Sequence, residues 1–333
     1  MKKILTLIAI SAISISAADA AQLAMGKSDG FGDFTHDGAS YAFAGNWAGS
    51  GPVLDIAVVS GGMHVIRSTG LTYYSYDGST LTAGGSYGWG ADTARAVGVA
   101  SDGTVFAGGS TGFGAFNYSA GAYSVDAWFA NDTYSIGVDG NDHIHVQQSD
   151  GLSAWTHAPG VLSNTAWDAG WGTSGSDIIG ALEIDSSGML HVGKSDGLGN
   201  LTYNGSAYAF AGGWSAGAGI TDISIDEASG QIWATQSDGV QVVDQSTYAL
   251  DAWGGQAGGF ATVLVDSDGN AHLGKSDGMG SYDISGANVV WDGSSWYAAA
   301  DVTEIVEVIP EPATLGLFGL GALAVYIRRK FVA

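Results

Sequence analysis

The side chains of this sequence that could do chemistry recur at fixed distances from a repeated glycine. His64, His145, His191 and His272 each stand six residues before Gly70, Gly151, Gly197 and Gly278. A ring of imidazoles would suggest a metal, but zinc–nitrogen bonds are about 2.1 Å long and equivalent positions on stacked sheets lie about 10 Å apart. Phe106 and Trp233 fill the same slot elsewhere, so the slot calls for a flat ring and predicts packing between repeated units. His143, two residues from His145, would share its strand face. Lys27, Lys194 and Lys275, with Arg67 in the same slot, stand three before the glycine, and an Asp follows each lysine by two. That spacing predicts a repeated ion pair or turn contact. The Asp-rich turns, Asp139 with Asp142 and Asp266 with Asp268, lack the distal Glu of a calcium loop and read as hairpin turns.

One further set is acidic. Counting along the apolar alternation of the inner strands, the opposite phase contains Asp55, Ala57, Glu183, Asp222, Ser224 and Glu307. Glu183, Asp222 and Glu307 are the candidate ligands for a cation, calcium by preference for oxygen donors, in a central channel. No cofactor is otherwise implied. No Gly-x-Ser-x-Gly elbow, His-Glu-x-x-His or phosphate-binding glycine loop occurs, so no catalytic residues are assigned.

Composition bounds the rest. The 333 residues include 54 Gly, 11 Trp, 14 Tyr and 11 Phe but no Cys, and the net charge is −23. Such charge repels nucleic-acid phosphates and anionic lipid, which excludes a nucleic-acid function. Without Cys there is no disulfide, thiolate metal site or cysteine nucleophile. Abundant Gly and aromatics favour short strands joined by tight turns.

The elements that must position these residues follow from an internal repeat. Gly-Lys-Ser-Asp-Gly occurs three times, ending at Gly30, Gly197 and Gly278, and degenerate copies end at Gly70, Gly112, Gly151 and Gly239. Four residues later stands an apolar residue: Phe34, Tyr74, Phe116, Trp155, Leu201, Val243 and Tyr282. A tryptophan then follows in every unit, at Trp47, Trp89, Trp128, Trp167, Trp214, Trp253 and Trp291. Each unit reads as four antiparallel strands, for example Thr221 to Asp226, Gln231 to Ser237, Val240 to Asp244 and Tyr248 to Trp253. Seven such units of about 41 residues predict an all-β, seven-bladed β-propeller. The first unit begins at its second strand, near Leu23, and the surplus segment Asp301 to Val308 is left to complete it. The run from Asp266 to Gly278 resembles the repeat of two-component-regulator-type propellers, which implies a blade fold only.

Both ends read as processing signals. Lys2 and Lys3, the apolar run from Ile4 to Ile15 and the Ala-rich stretch to Ala20 have the order of a signal peptide, residues 1–20. Residues 21–309 form the body, and 310–333 a tail: Pro310-Glu311-Pro312, an apolar run to Ile327, then Arg328, Arg329 and Lys330. This tail resembles the PEP-CTERM sorting signal of Gram-negative bacteria. The resemblance implies recognition and cutting by the membrane protease exosortase near Pro310, Glu311 and Pro312. The run from Ala313 to Ile327 is shorter than the roughly 20 residues that cross a bilayer comfortably, so it predicts a single short membrane helix and transient anchoring, with the Arg-Arg-Lys flank on the cytoplasmic side.

The expectation is an exported propeller at the cell surface or in the extracellular matrix, non-enzymatic, with a binding or structural role. An extracellular polysaccharide or a surface protein is its expected partner. The alternative is a secreted polysaccharide lyase or hydrolase with its site at one propeller mouth, and His143, His145 and His157 of the fourth unit are the residues that would have to converge there.

Overall fold

In the computed structural model of the chain, the described residues are 21–308 except 50, 90–92, 170–180, 257–258 and 300. The signal-peptide and sorting-tail readings, with the membrane helix, lie outside them. The described residues form 28 strands, with no helix long and apolar enough to cross a membrane.

Each unit is an antiparallel meander, as the alternation requires. The sixth runs Ile220–Asp226, Gln231–Gln236, Gly239–Asp244 and Leu250–Gly255, with ends within two residues of those read from sequence. Five sheets stand as separate four-stranded blades, not the seven expected. The other eight strands form one sheet, because a single parallel bridge, Trp253 to Asn288, joins the outer strands of the sixth and seventh units. The bridge falls at the first residue of the seventh unit's outer strand, Asn288–Ala298, where the Trp253 N–H also donates to the Ala287 carbonyl.

The inner strands adjoin one another in a closed cycle. From Val53–Val59 it passes through Ala94–Val99, Ser135–Val138, Ala181–Ile184, Ile220–Asp226, Thr262–Val265 and Val302–Glu307, and returns to Val53–Val59. The last member belongs to the first blade, whose order is Val302–Glu307, Ala21–Lys27, Gly30–His36, Tyr41–Ala48. Met25 faces Ile305 and Ala24 faces Val306 in an antiparallel pairing. The C-terminal strand therefore closes the ring as expected, pairing the edge that Ala21–Lys27 would otherwise leave open.

The apolar core lies in the seams between units. Ala24 and Phe31 of the first unit pack on Val53, Met63, Val65 and Tyr74 of the second. Phe106 and Phe113 of the third pack with Ile144, Val146 and Trp155 of the fourth. Burying each large side chain is worth about 1.5–3 kcal/mol, so the seams carry most of the stability. The repeat glycine is explained at Gly278. Its φ is +158°, and an added Cβ would lie 2.6 Å from the Trp296 ring. That ring corrects one reading: the seventh unit's repeat tryptophan is Trp296, not Trp291, since Trp296 pairs with Gly280 as Trp47 does with Gly32. In the second unit Trp89 is displaced, and the backbone of Tyr87 closes over Gly70 instead.

Candidate functional site

Three arrangements position the polar side chains: the seams, the axis and the outer rim. At the seams the histidines behave as the flat-ring slot predicts. The His145 ring bonds the Tyr208 hydroxyl at 2.8 Å, and His64 bonds Tyr123 at 2.7 Å. His191 bonds Tyr248, and its other nitrogen lies 3.2 Å from Asp185. His272 bonds Tyr41 at 2.6 Å and Asp266 at 2.9 Å. Each tyrosine comes from the next unit around the ring, so an Asp–His–Tyr chain staples three of the seams. The Asp members also build the turns. Asp266 accepts the backbone N–H groups of Asp268 and Asn270, and Asp139 those of Asn141 and His143. Hairpin turn chemistry is what the Asp-rich segments do.

The histidines of the fourth unit separate. His143 and His145 both face Asp139, at 2.8 and 3.5 Å, on the seam toward the fifth unit. His157 instead bonds Asp126 at 2.8 Å and packs on Phe106, on the seam toward the third. The constellation needed by the enzyme reading is not assembled. The repeat lysines make the expected pairs, Lys27 to Asp29 and Lys275 to Asp277, both 3.3 Å. Lys27 and Lys275 also lie over the rings of Trp47 and Trp296.

At the axis is a cavity of about 460 Å³ whose lining includes Asp55, Glu183, Asp222, Glu304, Glu307 and Arg95. Asp55 accepts the backbone N–H of Val97 at 2.7 Å, and Asp222 that of Val263 at 2.9 Å, each on the following inner strand. Burial raises these carboxyls above their ordinary range, Asp55 to about 7 and Asp222 to about 6. Glu183 rises to about 8 through burial and the neighbouring charges of Asp222 and Asp55. Its side chain is open to the channel water while protein surrounds it, which moderates that rise. Glu304 is also raised, by burial first and then by the other three acids.

Of the acids read from sequence, Glu183 and Asp222 meet at the axis, whereas Glu307 turns to Ser267, accepting its backbone N–H at 2.8 Å and its hydroxyl at 2.6 Å. Among the described residues, Glu183, Asp222 and Glu307 do not come within shared ligand distance. Glu304 escapes sequence reasoning because the alternation phases its strand on Val306 and Glu307, whereas Ile305 is the buried residue equivalent to Ile56 and Glu304 takes the place of Asp55, just past the same register shift.

On the outer rim, tryptophans remain partly bare: Trp47, Trp128, Trp167 and Trp214 are 36–43% exposed, and Trp291 is 51% exposed. Where the sixth and seventh units join, a cleft of about 420 Å³ is walled by Trp291, Trp296, Tyr282 and Phe260, with Gln256 and the paired Lys275 and Asp277 as polar groups.

Residues 308–330 match the PEP-CTERM protein-sorting motif. The chain carries an exosortase sorting signal. That motif implies export of the protein, and its span includes Pro310, Glu311 and Pro312. A search of curated protein sequences finds no match. Among solved structures, similarity extends to a functionally unknown protein of Desulfotomaculum acetoxidans, at TM-score 0.71 and 13% identity over 88% of this chain and all of that one. A protein of Bacteroides fragilis described as a candidate 6-phosphogluconolactonase is similar at TM-score 0.74 and 10% identity, over 88% of this chain and 99% of that one. The WD40 β-propeller domain of Doa1 is similar at TM-score 0.53 and 10% identity, over 88% and 87%. At these identities the likeness establishes the propeller fold alone.

Proposed function

We propose that the protein is an exported, exosortase-sorted, seven-bladed propeller that binds a neutral extracellular polysaccharide without chemically altering it. The eight-stranded sheet is read as two blades sharing one bridge, because the inner strands close a cycle of seven. In this reading residues 1–20 are the signal peptide, 21–309 the propeller body, and 310–333 a tail that docks briefly in the inner membrane, flanked by Arg328, Arg329 and Lys330, before the product reaches the cell surface or matrix.

The observation that carries the ligand class is the rim cleft. Trp291 presents half its surface between Tyr282 and Trp296, with Gln256 and Asp277 beside it. Apolar ring faces with a few polar groups suit the stacked faces and hydroxyls of a sugar. The body carries 31 acidic residues against 5 basic ones once Asp19, Glu311, Lys2, Lys3, Arg328, Arg329 and Lys330 are set aside. That surplus repels uronic or sulfated chains and favours a neutral polymer. Affinity electrophoresis through neutral and acidic polysaccharide gels tests the reading. Neutral polymer is expected to retard the protein and Trp291→Ala to release it; equal migration of both proteins in every gel would overturn the reading.

A further inference from the structure

The seams share a plan that isolates one of them. Relative to the repeat glycine, a seam joins the residues twelve and six before it to a residue six after the next unit's glycine, with a tyrosine further along. Around Gly151 these are Asp139, His145 and Tyr203, with Tyr208. Around Gly197 they are Asp185, His191 and Gln245, with Tyr248. Around Gly278, where the last unit meets the first, they are Asp266, His272 and His36, with Tyr41. The seam around Gly151 also brings a second imidazole, His143, to its Asp, but among the described residues it is the closing seam whose two histidines and aspartate offer ligating atoms all within 4.8 Å of one another.

The three groups converge. One ligating atom each from His36, Asp266 and His272 lies within 4.8 Å of the other two, and all three residues are buried. The His36 and His272 rings meet edge to face, with centroids 4.8 Å apart. The outer contacts match those that orient metal ligands. Tyr41 engages His272 Nδ1 at 2.6 Å and leaves Nε2 as the ligating atom. Asn270 donates its side-chain amide to both Asp266 oxygens, at 3.1 and 3.0 Å.

We propose that His36, Asp266 and His272 form a divalent transition-metal site, of the zinc class, that clasps the closing seam of the propeller. Two nitrogens and one carboxylate oxygen are a donor set zinc accepts at about 2.0–2.2 Å, so ligand atoms now up to 4.8 Å apart close inward on the ion. As the metal takes Nε2 of His272, the ring's one proton stands on Nδ1, which then donates to the Tyr41 hydroxyl, so the imidazole stays neutral. In the two other seams that carry an Asp–His pair, Tyr203 and Gln245 stand where His36 does, and where His157 takes that position the seam has Phe106 and Ala100 in place of the His and Asp.

Cobalt(II) and zinc, each added during refolding of the full chain, test the proposal. One equivalent of tightly held metal is expected, with a cobalt visible spectrum indicating histidine ligands and a zinc-dependent rise in melting temperature. His36→Tyr and His36→Gln, the residue types of the other seams, should fold cooperatively and lose at least tenfold in affinity. Should either variant fail to fold, the other carries the comparison. A wild-type chain that retains no metal after refolding, or a folded His36 variant that retains it equally, would overturn the proposal.

Discussion

Asp55 on one inner strand accepts the backbone N–H of Val97 on the next, 2.7 Å away, and so ties two neighbouring blades together at the axis. Asp222 does the same to Val263 and also accepts the Thr262 hydroxyl at 2.7 Å. Their acidity is a by-product of a structural role, because an inner strand crowded at the axis offers its neighbour an acceptor that no apolar side chain could supply. Asp55→Ala should orphan the Val97 N–H and cost about 1–3 kcal/mol in chemical denaturation, with Asp55→Asn, which keeps an acceptor, costing less.

The same geometry sets a pH dependence. Asp55, Asp222 and Glu183 have folded-state values of about 7, 6 and 8, above those of the unfolded chain, and Glu304 moves the same way, with Arg95 the basic residue facing them in the channel lining. A raised carboxyl binds its proton more tightly when folded, so its contribution is present below the unfolded value and is lost as pH rises through the folded one. Below about pH 6.5 the buried His36, His64, His145 and His191, held under the ordinary histidine range, oppose this trend, so the melting temperature should fall chiefly between about pH 6.5 and pH 8. Glu183→Gln should flatten the upper part of that fall; parallel pH profiles for variant and wild type would contradict the assignment.

Gly278 offers a sharper test of the repeat. Alanine there must hold a positive φ and place its Cβ 2.5 Å from the Tyr297 carbonyl oxygen as well as against Trp296. A loss of about 1–3 kcal/mol is expected from the backbone strain alone. Gly38→Ala, at a turn with φ +81° and nothing near the added Cβ, should cost less, which separates the contact from the strain. Equal losses in denaturant titrations would show that the Trp296 contact is irrelevant.

Much of this architecture is legible in the sequence because a period repeated seven times averages away local noise: the glycine, the flat-ring slot and the strand order recur at fixed offsets. What is lost is whatever departs from the period. Glu304 is missed because its strand stands alone at the end of the body, where the alternation sets its phase one residue off, and the outer strand of the seventh unit exchanges the roles of Trp291 and Trp296. His36 carries no signal of its own because its seam partners are more than 200 positions away in the chain and meet it only when the ring closes.

Closure itself can be probed. Removing Asp301 to Val308 strips the first blade of its inner strand and breaks the cycle between Thr262–Val265 and Val53–Val59. It also bares the Gln22 carbonyl that accepts the Val308 N–H at 2.7 Å, and Val302 and Ile305 leave the core around Met25 and Phe34. Two-state unfolding should give way to a broad transition with aggregation. A truncated chain melting at the wild-type temperature would mean that this strand does not close the ring.

Salt separates general from specific electrostatics. With 31 acids against 5 bases in the body, folding confines like charge to a compact surface, and the self-repulsion is felt most when the screening length is long. Raising sodium chloride from about 10 to 150 mM shortens that length from about 30 to 8 Å and should raise the melting temperature. Calcium at matched ionic strength should add little, since Glu183, Asp222 and Glu307 do not share a ligand sphere. Thermal melts in chelator, sodium chloride and calcium at equal ionic strength read both effects: coincident sodium and calcium curves above the low-salt curve are expected. A calcium curve well above the sodium one would show that the axial acids rearrange around the ion.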